Sequence, residues 1–205
     1  MLKGNLLYRH ISAIAALVLI SLLSSWSGTP YHEISNSWDG FLWGMAEPVL
    51  HFDKFVIIIA IGLLAARVIR GSWIAISFVL AAILGIVIHL LQISVPGIEI
   101  AIAISSITLG VMLLMPQPRF LTLLVLTAIA GLCQGYVSGE LIIEADSITS
   151  VFYITGATLT QYAVVMSAKE IGNTLESSDT LPRIMPFLGF AICAISIVFL
   201  QGSFN

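Results

Sequence analysis

The residues best equipped for chemistry lie in one run, Trp38-Asp39-Gly40-Phe41-Leu42-Trp43-Gly44-Met45-Ala46-Glu47-Pro48-Val49-Leu50-His51-Phe52-Asp53-Lys54. It is aromatic, glycine-bearing and charged, yet flows directly into an apolar stretch. Pro48 suits the first turn of a helix, where a missing N–H is harmless. A helix starting there aligns Glu47, His51 and Lys54 at i, i+4 and i+7 and turns Asp53 about 100° away. Ionisable groups in such a place need partners, because an unpaired charge at the centre of a bilayer costs at least about 2.5 kcal/mol. Two chemistries are open to the stripe: an ion or metal site at the mouth of a helix bundle, or a structural ion pair with Trp38 and Trp43 anchoring the interface. The ion pair is favoured, since Lys54 competes as a cation for the carboxylates that a metal would need.

Four further positions complete the candidate set: Glu99, Gln134, Ser138 and Glu140. Glu140, Glu144 and Asp146 make an acidic loop that can attract cations. The remaining histidines are weaker candidates. His89 reads as a helix-contact residue, His10 as an interfacial one and His32, beside Glu33, as a loop residue. No Ser-His-Asp arrangement, phosphate-binding glycine loop or Cys-x-x-Cys is present, so neither an enzyme nor a resident cofactor is expected.

The elements that position these residues follow from apolarity. With 59% hydrophobic residues, 9% charged residues and a mean hydropathy of +1.06, the chain is too apolar for a water-soluble domain of 205 residues. Uninterrupted apolar runs predict helices near 10–26, 49–67, 72–93, 97–115, 119–137, 148–168 and 184–202. The fold class is therefore all-α, a polytopic transmembrane bundle of about seven spans in a single domain, 1–205. Lys3, Arg9, Arg67, Arg70, Arg119, Lys169 and Arg183 fall in gaps on one side, and Glu33, Asp39, Glu47, Glu99, Glu140, Glu144 and Asp146 on the other. The positive-inside rule then places the N-terminus inside and the C-terminus outside, with Lys54 the one cation out of place. The stretch 169–183 reads as a flexible connector.

The first segment also has the shape of a signal peptide, Lys3 and Arg9 preceding the apolar core from Ile11 to Leu23. Ser24-Ser25-Trp26-Ser27-Gly28 offers no clear A-x-A cleavage site, so a retained helix is expected. Gly62, Gly85, Gly110, Gly131 and Gly156 lie inside spans, where the lack of a side chain lets helices approach closely. Cys133 and Cys193 fall in different spans and read as small core residues. A net charge of −3 and scattered Lys and Arg exclude a nucleic-acid interface.

From about residue 32 to the end, the order of motifs resembles the HupE/UreJ family, small membrane proteins associated with nickel supply. Gly40-Phe41, Gly44, Pro48, Asp53 and Gly62-Leu63-Leu64-Ala65 fit the family's G-F-x-x-G-x-x-H-P-x-x-G-x-D-H motif and its following G-L-x-A. Pro96-Gly97-Ile98-Glu99, Ala101, Ala103, Ser105 and Gly110 fit a second block, and Tyr153-Ile154-Thr155-Gly156 the start of a third. Where the family carries histidine, this chain has Glu47, Lys54, Gln134 and Ser138, while His51 takes a glycine position. A further histidine expected within a residue of Val165 is replaced by an apolar residue. The resemblance thus implies the family scaffold without its imidazole ligands. Glu47 and Lys54, of opposite charge, would fill the space of a cation, and Gln134 and Ser138 are poor ligands for nickel.

Two functions remain open. One is an accessory or structural subunit that meets other integral membrane subunits through its apolar faces. The other is a secondary permease for nickel or another divalent cation, with Glu47, His51, Asp53, Glu99 and Glu140 as ligands. The scarcity of imidazoles favours the subunit. Helical spans and the resemblance imply a bacterial inner membrane, since outer membranes use barrels.

Overall fold

The structure is a computed structural model that describes residues 36–115, 118–176 and 181–202, with Ser12, Ala15 and Ala16. The first predicted span, His10 and His32 therefore lie outside or almost outside the described residues. Every regular element among those described is helical: α1 Ser37–Leu50, α2 Phe52–Ala66, α3 Gly71–Leu90, α4 Ile98–Leu114, α5 Phe120–Gly139, α6 Ser147–Glu176 and α7 Leu181–Gly202. A short 3-10 turn, Glu140–Ile142, follows α5. Helices α3, α5 and α6 are each long and apolar enough to cross a bilayer, and α1 with α2 forms a fourth candidate span broken by a 76° bend. Apolar segments Ile98–Leu114 and Ile184–Val198 are shorter.

Three close pairs organise the bundle: α3 with α5, α1 and α2 with α6, and α4 with α7. In the first, Gly131, Gly135 and Gly139 recur every fourth residue along one face of α5. A Cβ on Gly131 would meet the Phe78 carbonyl, on Gly135 the Ala82 carbonyl, and on Gly139 the His89 Cβ at 2.7 Å. The matching rise of both residue numbers shows that α3 and α5 run parallel, backbone against backbone. In lipid, where apolar side chains gain little by leaving their solvent, such close approach supplies much of the packing energy. Gly40 and Gly44 of α1 do the same against Thr149 and Tyr153 of α6.

Helix α2 is the centre. Ile57, Ile58, Ile61, Leu63 and Leu64 are all buried, and they share the main core with Phe78 of α3, Leu109 of α4, Leu123 of α5 and Val165 of α6. A helix apolar on every side belongs inside a bundle. At 15 residues it covers only about 22 Å of a hydrocarbon core roughly 30 Å thick. Helix α1 joins it across the 76° bend.

Charge separates along the bundle. Arg67 and Arg70 flank α2 and α3, Arg119 caps α5, and Lys169 lies beside Gly71, so these four cations share one end. There the Arg67 guanidinium donates to the Met115 carbonyl at 2.7 Å, joining α2 to α4. Asp53, Glu99, Glu140 and Asp146 stand at the opposite end.

Two boundaries differ from the sequence expectation. Helix α1 precedes the helix expected near 49–67, which begins at Phe52 instead of Pro48; Pro48 lies in the last turn of α1. Asn36 starts α1, its Oδ1 accepting from the Asp39 N–H at 2.9 Å while its Nδ2 donates to Asp39 Oδ2 at 2.6 Å. That reciprocal cap was readable as an Asn with an acid three residues on. Helix α6 runs to Glu176, so the expected connector is helical through its first half. The Glu170 carboxylate pairs with Lys169 at 3.2 Å, its backbone carbonyl accepts from the Thr174 hydroxyl at 2.9 Å, and Gly172 packs on Ala66.

Asp146 caps the other end of α6, its Oδ2 accepting from the Ile148 and Thr149 N–H groups at 3.1 and 3.3 Å. Hydrogen bonds from Thr149 hold its carboxyl below the usual aspartate range. A depressed folded value means that the cap's stabilisation is fully present above about pH 4 and fades as pH falls through the folded value. Asp146→Asn keeps an acceptor at the cap and removes the titration. Wild-type thermal stability should therefore decline more steeply than that of the variant between about pH 4 and 2. Parallel curves would refute the assignment.

Candidate functional site at the break between α1 and α2

The break places Glu47 in the last turn of α1 and Lys54 in the first turn of α2. Helix α1 ends because His51 turns aside: its backbone N–H and its Nδ1 both lie against the Glu47 carbonyl, at 3.3 and 3.1 Å. Pro48, lacking an N–H, cannot bond the Gly44 carbonyl one turn back, which weakens the same end. The expected stripe of Glu47, His51 and Lys54 on one helix is therefore corrected. His51 is exposed at the corner, whereas Glu47 and Lys54 meet across it.

They meet as a buried ion pair. The Lys54 ammonium donates to Glu47 Oε1, with Glu47 1% and Lys54 9% exposed. Ser138 of α5 closes the group: its Oγ accepts from Lys54 at 3.0 Å and lies 2.9 Å from Glu47 Oε1 and 3.0 Å from the Gln134 carbonyl. Tyr153 of α6, fully buried, reaches the Ser138 carbonyl at 3.4 Å. Four helices, α1 and α2 at their corner with α5 and α6, thus converge on one neutral group. Its placement is electrostatically consistent, since a cation lies near the negative end of α1 and a carboxylate near the positive end of α2. Glu47 Oε2 and both side-chain polar atoms of Gln134 have no partner among the described residues.

The other predicted residues fall elsewhere. Asp53, Glu99 and Glu140 line a separate cleft of about 550 Å³ between α2, α4, α5 and α7, with His89 and Tyr136 on its wall. His89 makes an edge-on contact with Tyr136, ring centroids 4.6 Å apart, in keeping with a helix-contact role. Among the described residues, no three His, Cys, Asp or Glu side chains are grouped to hold a metal. Both cysteines are free thiols, Cys133 buried in α5 and Cys193 facing Gly110. The residue that sequence reasoning missed is Tyr153. Its signal was a polar tip inside an apolar span, a group that seeks a hydrogen bond when buried.

This architecture defines a helical membrane protein with its ionisable centre at the junction of a discontinuous span. Its family follows from comparison: the HupE / UreJ protein family matches residues 12–199, and the chain belongs to it. The family is associated with nickel and metal transport. Comparison with curated proteins and with solved structures finds no match. The sequence resemblance implies family histidines at the positions of Glu47, Lys54 and Ser138. Here these three side chains share one hydrogen-bonded group, joined to the fourth such position through the Gln134 carbonyl.

Proposed function

We propose that the protein is a non-catalytic, cofactor-free accessory or structural subunit of a complex in the bacterial inner membrane. In this reading residues 1–205 form one domain, the cationic end faces the cytoplasm and the apolar flanks meet partner helices. The observation that supports it is the Lys54 ammonium bonded to Glu47 and Ser138. A cation that belongs to the chain cannot be exchanged, whereas a permease needs ligands that release their cargo. The decisive experiment is mass spectrometry of what co-purifies with the tagged protein from its native membrane in mild detergent. Stoichiometric membrane partners are the expected result; isolation alone or as a homo-oligomer, with Ni²⁺ or Mg²⁺ uptake into proteoliposomes, would reject the subunit.

A second reading, a secondary permease for a divalent cation, is favoured by the cleft that bears Asp53, Glu99 and Glu140 beside a broken span. Carboxylate oxygens suit hard cations, and discontinuous helices commonly frame transport sites.

The pair itself yields a prediction. Replacing both partners, Glu47→His with Lys54→His, removes the internal cation and puts two imidazoles beside Ser138. Calorimetry should then show saturable Ni²⁺ binding that the wild type lacks. No gain in binding would mean that the scaffold no longer holds metal geometry at the break.

A further inference from the structure

The cleft between α2, α4, α5 and α7 has a composition that the ion pair does not explain. Its acids come from three helix ends at the same end of the bundle: Asp53 in the first turn of α2, Glu99 in the first turn of α4 and Glu140 immediately after α5. Deeper turns of these helices contribute Ile57, Ile102 and Val137, and α7 adds Ile192 and Ile195. The cleft is thus anionic at its mouth and apolar below. No Lys or Arg among the described residues lines it.

Three observations point to an organic occupant. A volume of about 550 Å³ lies within the roughly 300–1,000 Å³ of small-molecule sites and far exceeds what a metal ion needs, and the carboxylates do not converge as ligands. Ser196 of α7 is 5% exposed and lines the cleft, and its hydroxyl makes no hydrogen bond to another described residue. His89 Nδ1, on the opposite wall, is also buried without a partner.

We propose that this cleft binds an amphiphilic amine, its ammonium group drawn to the anionic mouth that carries Asp53, Glu99 and Glu140 and its hydrocarbon body against the isoleucines below. The Tyr136 ring face can attract the cation, and Ser196 offers a hydroxyl acceptor. The same chemistry is presented by a free alkylamine and by the headgroup of an aminophospholipid.

The test is calorimetry on the full chain in nonionic detergent, with decylammonium, butylammonium, decyl sulfate and Ni²⁺ as probes. Decylammonium should bind in a 1:1 ratio, butylammonium at least tenfold more weakly, and decyl sulfate should not displace it. Glu99→Gln combined with Glu140→Gln changes only exposed positions and should weaken decylammonium at least tenfold. Ile102→Trp, filling the cleft, should abolish binding while the melting transition persists. Lipid analysis of the purified protein separates the sources: an aminophospholipid retained by wild type and lost from the double variant identifies the headgroup, and amine binding to lipid-free protein alone identifies the free compound. Equal binding of decyl sulfate, indifference to the Gln substitutions, or displacement of the amine by Ni²⁺ would each overturn the proposal. It stands apart from the subunit reading, which partner analysis tests separately.

Discussion

Lys54→Met, with Glu47 retained, should destabilise the protein by about 3–5 kcal/mol, because it leaves a buried carboxylate without its counter-charge. Glu47→Leu, with Lys54 retained, should cost a similar amount for the converse reason. The double variant should be more stable than either single one, since two apolar side chains carry no desolvation penalty and Ser138 keeps the Gln134 carbonyl 3.0 Å away. Such a pattern separates an ion pair that fixes the corner from one that merely decorates it. Unfolding by denaturing detergent from mixed micelles measures all four species of the cycle. Single-variant losses below about 1 kcal/mol, the range of solvent-exposed pairs, would show that the break is wet and the pair loose.

Gly135→Leu should eliminate folded protein. A side chain there meets the Ala82 carbonyl, and Gly131 and Gly85 face backbone on either side, at Phe78 and Leu132. Backbone atoms cannot rotate away as a side chain can, so α3 and α5 must separate along their length. Overpacking of an ordinary core costs about 1–3 kcal/mol, and loss of a whole interface exceeds that. Gly135→Ala should already lower the melting temperature measurably. Gly97 is the control: it has a φ of 74° and nothing within 4 Å, so Gly97→Ala should cost only the roughly 1–2 kcal/mol of a left-handed residue. Equal tolerance of leucine at positions 97 and 135 would refute the close approach of α3 and α5.

Parts of this arrangement were legible from residue order. The apolar runs placed α3, α4, α5 and α7 within a few residues, because in a bilayer a helix must satisfy its own backbone and the signal is length of apolarity. The opposite charges of Glu47 and Lys54 announced a pair, since neither tolerates burial alone. Helix α1 was obscured because its run mixes apolar, polar and glycine residues. Its helicity rests on the Asn36 cap and on packing of Gly40 and Gly44 against α6, a contact more than a hundred residues away in the chain. The length of α6 was hidden likewise, because its polar last turns hold together through Glu170 and the seat of Gly172 on Ala66.

By itself the sequence determined the solvent, the helical class and the family. These depend on composition and on residue type at fixed spacing. Tertiary structure decided that the span breaks at His51, so that two residues expected on one helix face each other across a corner. It alone brought Ser138 and Tyr153 to that corner, and gathered Asp53, Glu99 and Glu140 from three helix ends around a second site. Local periodicity carries no record of which helices become neighbours. That is set by the backbone-to-backbone contacts of the glycine faces and by the need of a buried charge for its partner.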